Sequence, residues 1–368
     1  MAHIAIDARI INSSTGRYVE RLLHYLQTID ADNHYSVLVR KKDRDYWHPT
    51  NPNFTVRVAD FDNYSLDEQT KFKHLLDDLQ PDLVHFCMPQ QPVTYQGKTV
   101  TTFHDLTLIK TYNSDKNWLI FHLKQLVGKY VFRRVAKQSD HIIAISQHTK
   151  NELQAFAPVS DDKISVIYEA GETTSGTERL LALPFQKFLL YVGQQSDYKN
   201  IRRLGDAHQQ LLKAHPNLGL VLAGKKTAAS KKNEQYFESK HYKNIHFTDF
   251  IPDDQLNWLY AHAEAYIFPS LMEGFGLPGL EAMAHNLPVI SSNTTCLPEI
   301  YGEAAAYFDP LNVADMTTTI DAVVSHDATK KRLVAAGQSQ IKKYSWEKMA
   351  QETLTVYEAV LKNSPVQS

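Results

Sequence analysis

Residues 266–284 read Tyr266-Ile267-Phe268-Pro269-Ser270-Leu271-Met272-Glu273-Gly274-Phe275-Gly276-Leu277-Pro278-Gly279-Leu280-Glu281-Ala282-Met283-Ala284: a short apolar run, a glycine-rich turn and a helix-forming stretch. Pro278 suits the first turn of a helix, where its missing N–H would have no partner anyway, so the helix is expected to open at Leu277 or Pro278. Gly274 and Gly276 let another group come close to the backbone. The unpaired N–H groups and positive dipole end of such a helix start attract a phosphate. Glu273 and Glu281 flank this anion site with seven residues between them. Carboxylates touching a phosphate would repel it, so both are read as acceptors for hydroxyls on either side. A diphosphate with a sugar at each end suits that arrangement.

Working outward, strand-like runs alternate with helix-length segments, the pattern of repeated βα units on a parallel sheet. The first series predicts strands at 3–8, 35–40, 54–59, 83–87, 98–103, 141–145 and 164–168. From Glu169 to Ala182 the periodicity stops and Gly, Ser, Thr and Glu dominate, which reads as a linker. A fresh series follows at 187–193, 218–223, 244–248, 265–269, 287–291 and 304–308, and the tail from Asp327 to Lys362 reads as helices. The expected organisation is an N-terminal Rossmann-like domain over 1–170, a second over 171–345, and a helix over 346–368 returning to the first. Ligands of such sheets bind beyond the carboxyl ends of the strands, so a cleft between the two domains is the expected site.

Composition agrees. A length of 368 residues exceeds a single domain of roughly 100–200, and 43% hydrophobic with 22% charged residues is an ordinary globular balance. The net charge of −2 gives no basic field for nucleic acid. Cys87 and Cys296 are the sequence's two cysteines, so no disulfide framework or cysteine metal cluster is expected, which fits a reducing compartment. The first residues lack a signal-peptide pattern and no window reaches about 18 consecutive apolar residues, so a cytoplasmic location is expected.

The sequence resembles the retaining glycosyltransferases of family 4, which have the GT-B fold of two facing Rossmann-like domains. The pair Glu273 and Glu281 matches that group's E-x7-E motif. The resemblance extends to Ile6-Asp7-Ala8-Arg9, Gly16-Arg17-Tyr18, Phe103-His104-Asp105-Leu106, Ala144-Ile145-Ser146, Tyr191-Val192-Gly193, Lys199-Asn200, Gly224-Lys225, Pro288-Val289-Ile290 and Pro298-Glu299-Ile300. It implies that Glu273 contacts the donor sugar, Glu281 the nucleotide ribose, and the backbone around Gly274, Phe275, Gly276 and Leu277 the sugar and phosphate. It makes Lys199 the cation on the diphosphate, His104 the histidine facing the sugar, and Gly16 a close-approach point. The loop Phe250-Ile251-Pro252 falls where the family contacts the base. No cofactor and no metal are implied. One departure is that Gly193-Gln194-Gln195-Ser196-Asp197-Tyr198-Lys199 lacks the arginine common before the lysine, so a second phosphate cation comes from Lys225 or Arg17 or is absent.

The implied activity is hexosyl transfer from a nucleotide-diphosphate sugar, GDP-mannose before a UDP-sugar, to a glycan, lipid-linked or small-molecule acceptor shaped by loops near 12–17, 88–96 and 105–116. A sugar-nucleotide epimerase or a non-catalytic sugar-nucleotide-binding protein of the same architecture are the alternatives. Asp60-Phe61-Asp62 spells a D-x-D metal motif, but Asp30-Ala31-Asp32 repeats it, so the pattern carries little. Residues 116–137 hold six cations and no carboxylate. That stretch reads as a crossover helix with its apolar side on the sheet and Lys129, Arg133 and Lys137 in water. Peripheral contact with an anionic membrane, at its inner face, is its second reading.

Overall fold

The computed structural model describes residues 1–13, 15–110, 118–172 and 176–362, with only the backbone of 118–124. The chain divides into two units. One takes in Met1–Lys110, His122–Glu169 and the chain from Ser345; the other holds Ala170–Tyr344.

Among the described residues, the first unit carries a seven-stranded sheet of β1 (His3–Asp7), β2 (His34–Val39), β3 (Phe54–Val58), β4 (Leu83–Phe86), β5 (Thr99–Phe103), β6 (His141–Ala144) and β7 (Ile164–Val166), ordered β3-β2-β1-β4-β5-β6-β7. The second carries six strands, β8 (Lys187–Val192), β9 (Leu218–Ala223), β10 (Ile245–Phe247), β11 (Ala265–Phe268), β12 (Val289–Ser292) and β13 (Ala305–Phe308), ordered β10-β9-β8-β11-β12-β13. Every pairing is parallel. Each strand run expected from the sequence is present. Runs such as Phe188-Leu189-Leu190-Tyr191 and Leu220-Val221-Leu222 are apolar without alternation because helices cover both faces of a parallel sheet, and all are buried. In each sheet the order reverses once, between β1 and β4 and between β8 and β11. Loops leaving those strand ends diverge to opposite faces and leave a crevice.

Within the first unit the helix Trp346–Lys362 packs on the helix Gly16–Ile29, burying Trp346, Met349, Ala350, Thr353, Leu354 and Tyr357 at helical spacing. A polar chain anchors it. Tyr357 Oη lies 2.5 Å from His85 Nδ1, His85 Nε2 lies 2.8 Å from Thr102 Oγ1, and Thr102 Oγ1 lies 2.9 Å from Tyr18 Oη. Burial pushes the His85 imidazole down to about 3, so it stays neutral and offers one donor and one acceptor. At the end of β1, the buried Arg9 binds Asp7 through two hydrogen bonds at 2.8 Å and Glu68 at 3.0 Å, and donates to the carbonyls of Phe61 and Gln90. Burial alone would push this guanidinium down; the two carboxylates outweigh it and hold it above its ordinary range.

Gly16 opens the helix after β1, and a Cβ there would lie 1.8 Å from the Ile11 carbonyl oxygen. The glycine is required by the turn of its own chain, a sufficient reason without any ligand. Gly16→Ala is therefore expected to lower stability by about 1–3 kcal/mol through overpacking. A fall in the urea midpoint at unchanged slope checks this.

Candidate functional site

In the second unit the site builds from the reversal between β8 and β11. The turn Asp197–Lys199 follows β8 and the loop holding Glu273 follows β11, so adjacent strands deliver both side chains to one place. Lys199 Nζ lies 2.5 Å from Glu273 Oε1, with side-chain exposures of 15% and 12%. The ammonium also sits 5.1 Å from the Tyr198 ring centre and 5.6 Å from that of Phe268. Burial alone would push the lysine down, but the Glu273 charge outweighs it and holds the ammonium well above its ordinary range. Three tethers fix the loops. Asn200, at φ 61°, donates from Nδ2 to the carbonyls of Pro269 and Pro310; the Leu271 N–H donates to the Tyr198 carbonyl at 2.8 Å; and Cys296 Sγ donates to the Glu273 carbonyl.

The helix Leu277–Ala284 starts where the sequence placed it, with Gly276 at φ 100° before it. Gly274 and Phe275 are buried in the turn, Phe275 edge-on to Tyr344 at 5.7 Å, while Leu277 is half-buried. Glu281 is nearly buried in the second turn and accepts from Tyr260 Oη at 3.2 Å. Where the arginine is missing, Gln195 is buried and its carbonyl accepts from Asn233 Nδ2, while Gln194 is exposed. Lys225 is exposed just past β9. An isolated bridge between Gly224 and Asp249 brings the Lys225 backbone beside the loop with Ile251, which is half-buried, and Phe250, which is 76% exposed.

In the first unit His104 follows β5. Its Nε2 lies 3.0 Å from the Cys87 carbonyl, its Nδ1 lies 3.3 Å from Glu169 Oε1, and the Tyr18 ring meets it edge-on at 5.0 Å. Both ring nitrogens thus face acceptors, an arrangement that only the doubly protonated imidazolium satisfies. Burial alone lowers its pKa, but the bond to Glu169, the Glu169 charge and the Cys87 carbonyl together raise it. Glu169 is a buried site residue that sequence reading assigned to the linker. Its signal was its place directly after the strand-like run 164–168, where sheet ligands gather. Tyr18, quoted only within a motif, turns out to support His104. Asp60 and Asp62 serve the chain itself, accepting from Lys41 N–H and from Arg40.

Because the His104 pKa is raised on folding, the stability it supplies is complete below its ordinary value of 6.5 and fades as pH rises through the folded value. Glu169→Gln leaves burial dominant and reverses the shift. NMR titration should place the His104 midpoint above 6.5 in the parent and below it in E169Q. The stability gap between them should be wider near about pH 6 than near about pH 9.

Residues 15–171 match the family model described as Glycosyltransferase Family 4, and residues 180–340 match Glycosyl transferases group 1. The O-antigen chain mannosyltransferase B of Escherichia coli is 30% identical over 274 residues, covering 71% of this chain and 70% of that protein. The serotype-specific mannosyltransferase WbdA of Escherichia coli is 30% identical over 73% of this chain, which spans 34% of its length. The sucrose-phosphate synthase from Thermosynechococcus elongatus superposes with a TM-score of 0.78 at 18% identity, covering 99% of this chain and 100% of that one, and so shares the fold. Two parallel sheets with these motifs at their carboxyl ends, matched along both halves, place the chain in the family 4, group 1 glycosyltransferases, with the GT-B fold.

Proposed function

We propose that this glycosyltransferase moves mannose from GDP-mannose, with a UDP-sugar as the second choice of donor, to a glycan or lipid-linked acceptor, with retention of anomeric configuration and without a metal ion. The observation that carries the reading is the Lys199–Glu273 pair beside a helix start without an N-cap side chain. The relatives' names as mannosyltransferases support the choice of sugar.

The chemistry follows from what each group has left to offer. An ammonium has three donors, so Lys199 can keep Glu273 on one and bind phosphate oxygens with the others. Glu273 has a second oxygen for a hydroxyl of the donor sugar, and Glu281, already held by Tyr260, has capacity for the ribose. Phe250 presents an exposed face on which a base can stack. As the bond from the sugar's anomeric carbon to phosphate lengthens, negative charge grows on the diphosphate, and Lys199 with the start of helix Leu277–Ala284 stabilises it. The acceptor oxygen forms the new bond from the same face. Its proton passes to the departing diphosphate, which leaves with the electron pair of the broken bond.

Glu273→Ala and Lys199→Ala are each expected to lower turnover by about 10²–10³-fold, the range for removing one group that stabilises developing charge. Each also leaves its partner's charge unpaired, so thermal melts must confirm folding before rates are compared. Activity should persist in excess EDTA. Thermal-shift screening with GDP, UDP and their sugars identifies the donor, and near-parental turnover in both folded variants would sink the assignment.

For the acceptor, we infer a lipid-linked glycan met at the inner face of a membrane. No helix among the described residues is long and apolar enough to cross one. The helix Trp118–Gln138 buries Val131, Phe132, Val135 and Ala136. It exposes Leu126 at 65%, Val127 at 47% and Tyr130 at 62%, followed along the same face by Arg133, Arg134 and Lys137. Of the three cations expected in water, Arg133 and Lys137 are exposed and Lys129 is half-buried, and the outer face begins apolar; Lys116, Asn117 and the side chains of 118–124 lie outside the described residues. Apolar residues beside cations suit an anionic lipid surface. Sedimentation with phosphatidylglycerol vesicles should capture the parent protein, and R133E/R134E or L126S/Y130S should abolish capture while turnover on a soluble acceptor is kept.

A further inference from the structure

The helix Leu277–Ala284 starts without a cap of its own, because its N-cap residue is Gly276. In most helices a Ser, Thr, Asp or Asn at that position accepts from the N–H of the third helical residue, which here is Gly279. Tyr301 brings a side-chain oxygen to this turn from another element. Its hydroxyl donates to the Gly276 carbonyl at 2.5 Å, and the Gly279 N–H, which donates to that same carbonyl at 3.2 Å, also lies within reach of the phenol oxygen. A Cβ on Gly276 would lie 2.5 Å from this oxygen and one on Gly279 2.3 Å from it, so both positions are glycine because the phenol fills their space. Tyr301 is fully buried, and burial raises its pKa, keeping it a neutral donor. It closes the helix Leu297–Tyr301, which is itself held: the Ile300 carbonyl accepts from Gln340 Nε2 at 2.7 Å and from Tyr344 Oη at 2.9 Å.

We propose that Tyr301 is a positioning residue for the donor diphosphate, an inference that rests on the nucleotide-sugar reading above. In a trans peptide the carbonyl and the following N–H point in opposite directions. Tying the Gly276 carbonyl down onto the buried phenol therefore aims the Leu277 N–H away from the interior, where a phosphate can meet it. The Gly279 N–H is satisfied by the Gly276 carbonyl that the phenol holds in place, without a side chain at Gly276, where it would obstruct the ligand. Pro278 has no N–H to offer, so the Leu277 amide is the one this device presents in the first turn. Tyr301 touches no reacting atom and acts through the orientation of that peptide.

The test is Tyr301→Phe, which keeps the ring and removes the hydroxyl. With the fold verified by near-UV circular dichroism, the Kd for GDP or UDP, whichever the parent binds, and the KM for the corresponding donor should rise about 5- to 30-fold, the range of one lost cap interaction. Amide exchange should show Leu277 slowed by the nucleotide in the parent and not in Y301F, a change that a loss of packing alone would not produce. An unchanged Kd and unchanged Leu277 protection in Y301F overturn the positioning role while leaving the nucleotide-sugar reading intact. Failure of the parent to bind either GDP or UDP overturns both. Should Y301F not fold, the parent decides: Gly279 must be protected before ligand and unaltered by it while Leu277 gains protection, and a freely exchanging Gly279 overturns the proposal.

Discussion

A lysine and a glutamate, each mostly withdrawn from water, have to be held 2.5 Å apart by loops leaving two neighbouring strands. Either charge alone at that depth would cost several kcal/mol, so the loops cannot drift without exposing the fold to that penalty. The tethers around the pair follow from this. Asn200 adopts a left-handed conformation to reach two carbonyls, Tyr198 and Leu271 join the loops through the backbone, and Cys296 fixes the Glu273 carbonyl. The reversal of strand order between β8 and β11 is what opens space above the pair.

The first unit solves a related problem with neutral and charged groups kept apart. His85 is buried as a neutral ring between Tyr357 and Thr102, whereas His104 faces a carbonyl and a carboxylate that favour its protonated form. Tyr18 touches both, bonding to Thr102 and laying its ring against His104. The C-terminal helix is thereby linked, through buried hydrogen bonds and then the Tyr18 ring, to the histidine at the end of β5. With a net charge of only −2, the protein has no broad electrostatic field, and its charge effects are local.

Much of this was legible before any coordinates. Parallel strands covered on both faces must be apolar along their length, so runs such as Phe188-Leu189-Leu190-Tyr191 announce themselves, and the thirteen strands among the described residues fall where the pattern put them. The Gly-Phe-Gly-Leu-Pro turn after β11 is equally local, and its helix begins at Leu277 as the proline demanded. Less legible was the reason for each glycine. Gly16 is expected as an approach point for a ligand, and its own turn requires the glycine as well, because the Ile11 carbonyl occupies the space of its missing side chain. Glu169 lay at the edge of a polar stretch that read as linker, and Tyr301 sat unnoticed after a recognised motif.

The sequence by itself determined the family, the two sheets, the helix start and the carboxylate pair, because each is written in patterns spanning a few residues and set by local conformation and burial. Only the tertiary structure decided which groups meet: Lys199 with Glu273, His104 with Glu169, and the Tyr301 hydroxyl with the Gly276 carbonyl. Those partners stand far apart along the chain. What brings them together is strand order and helix packing, which no short stretch of sequence encodes.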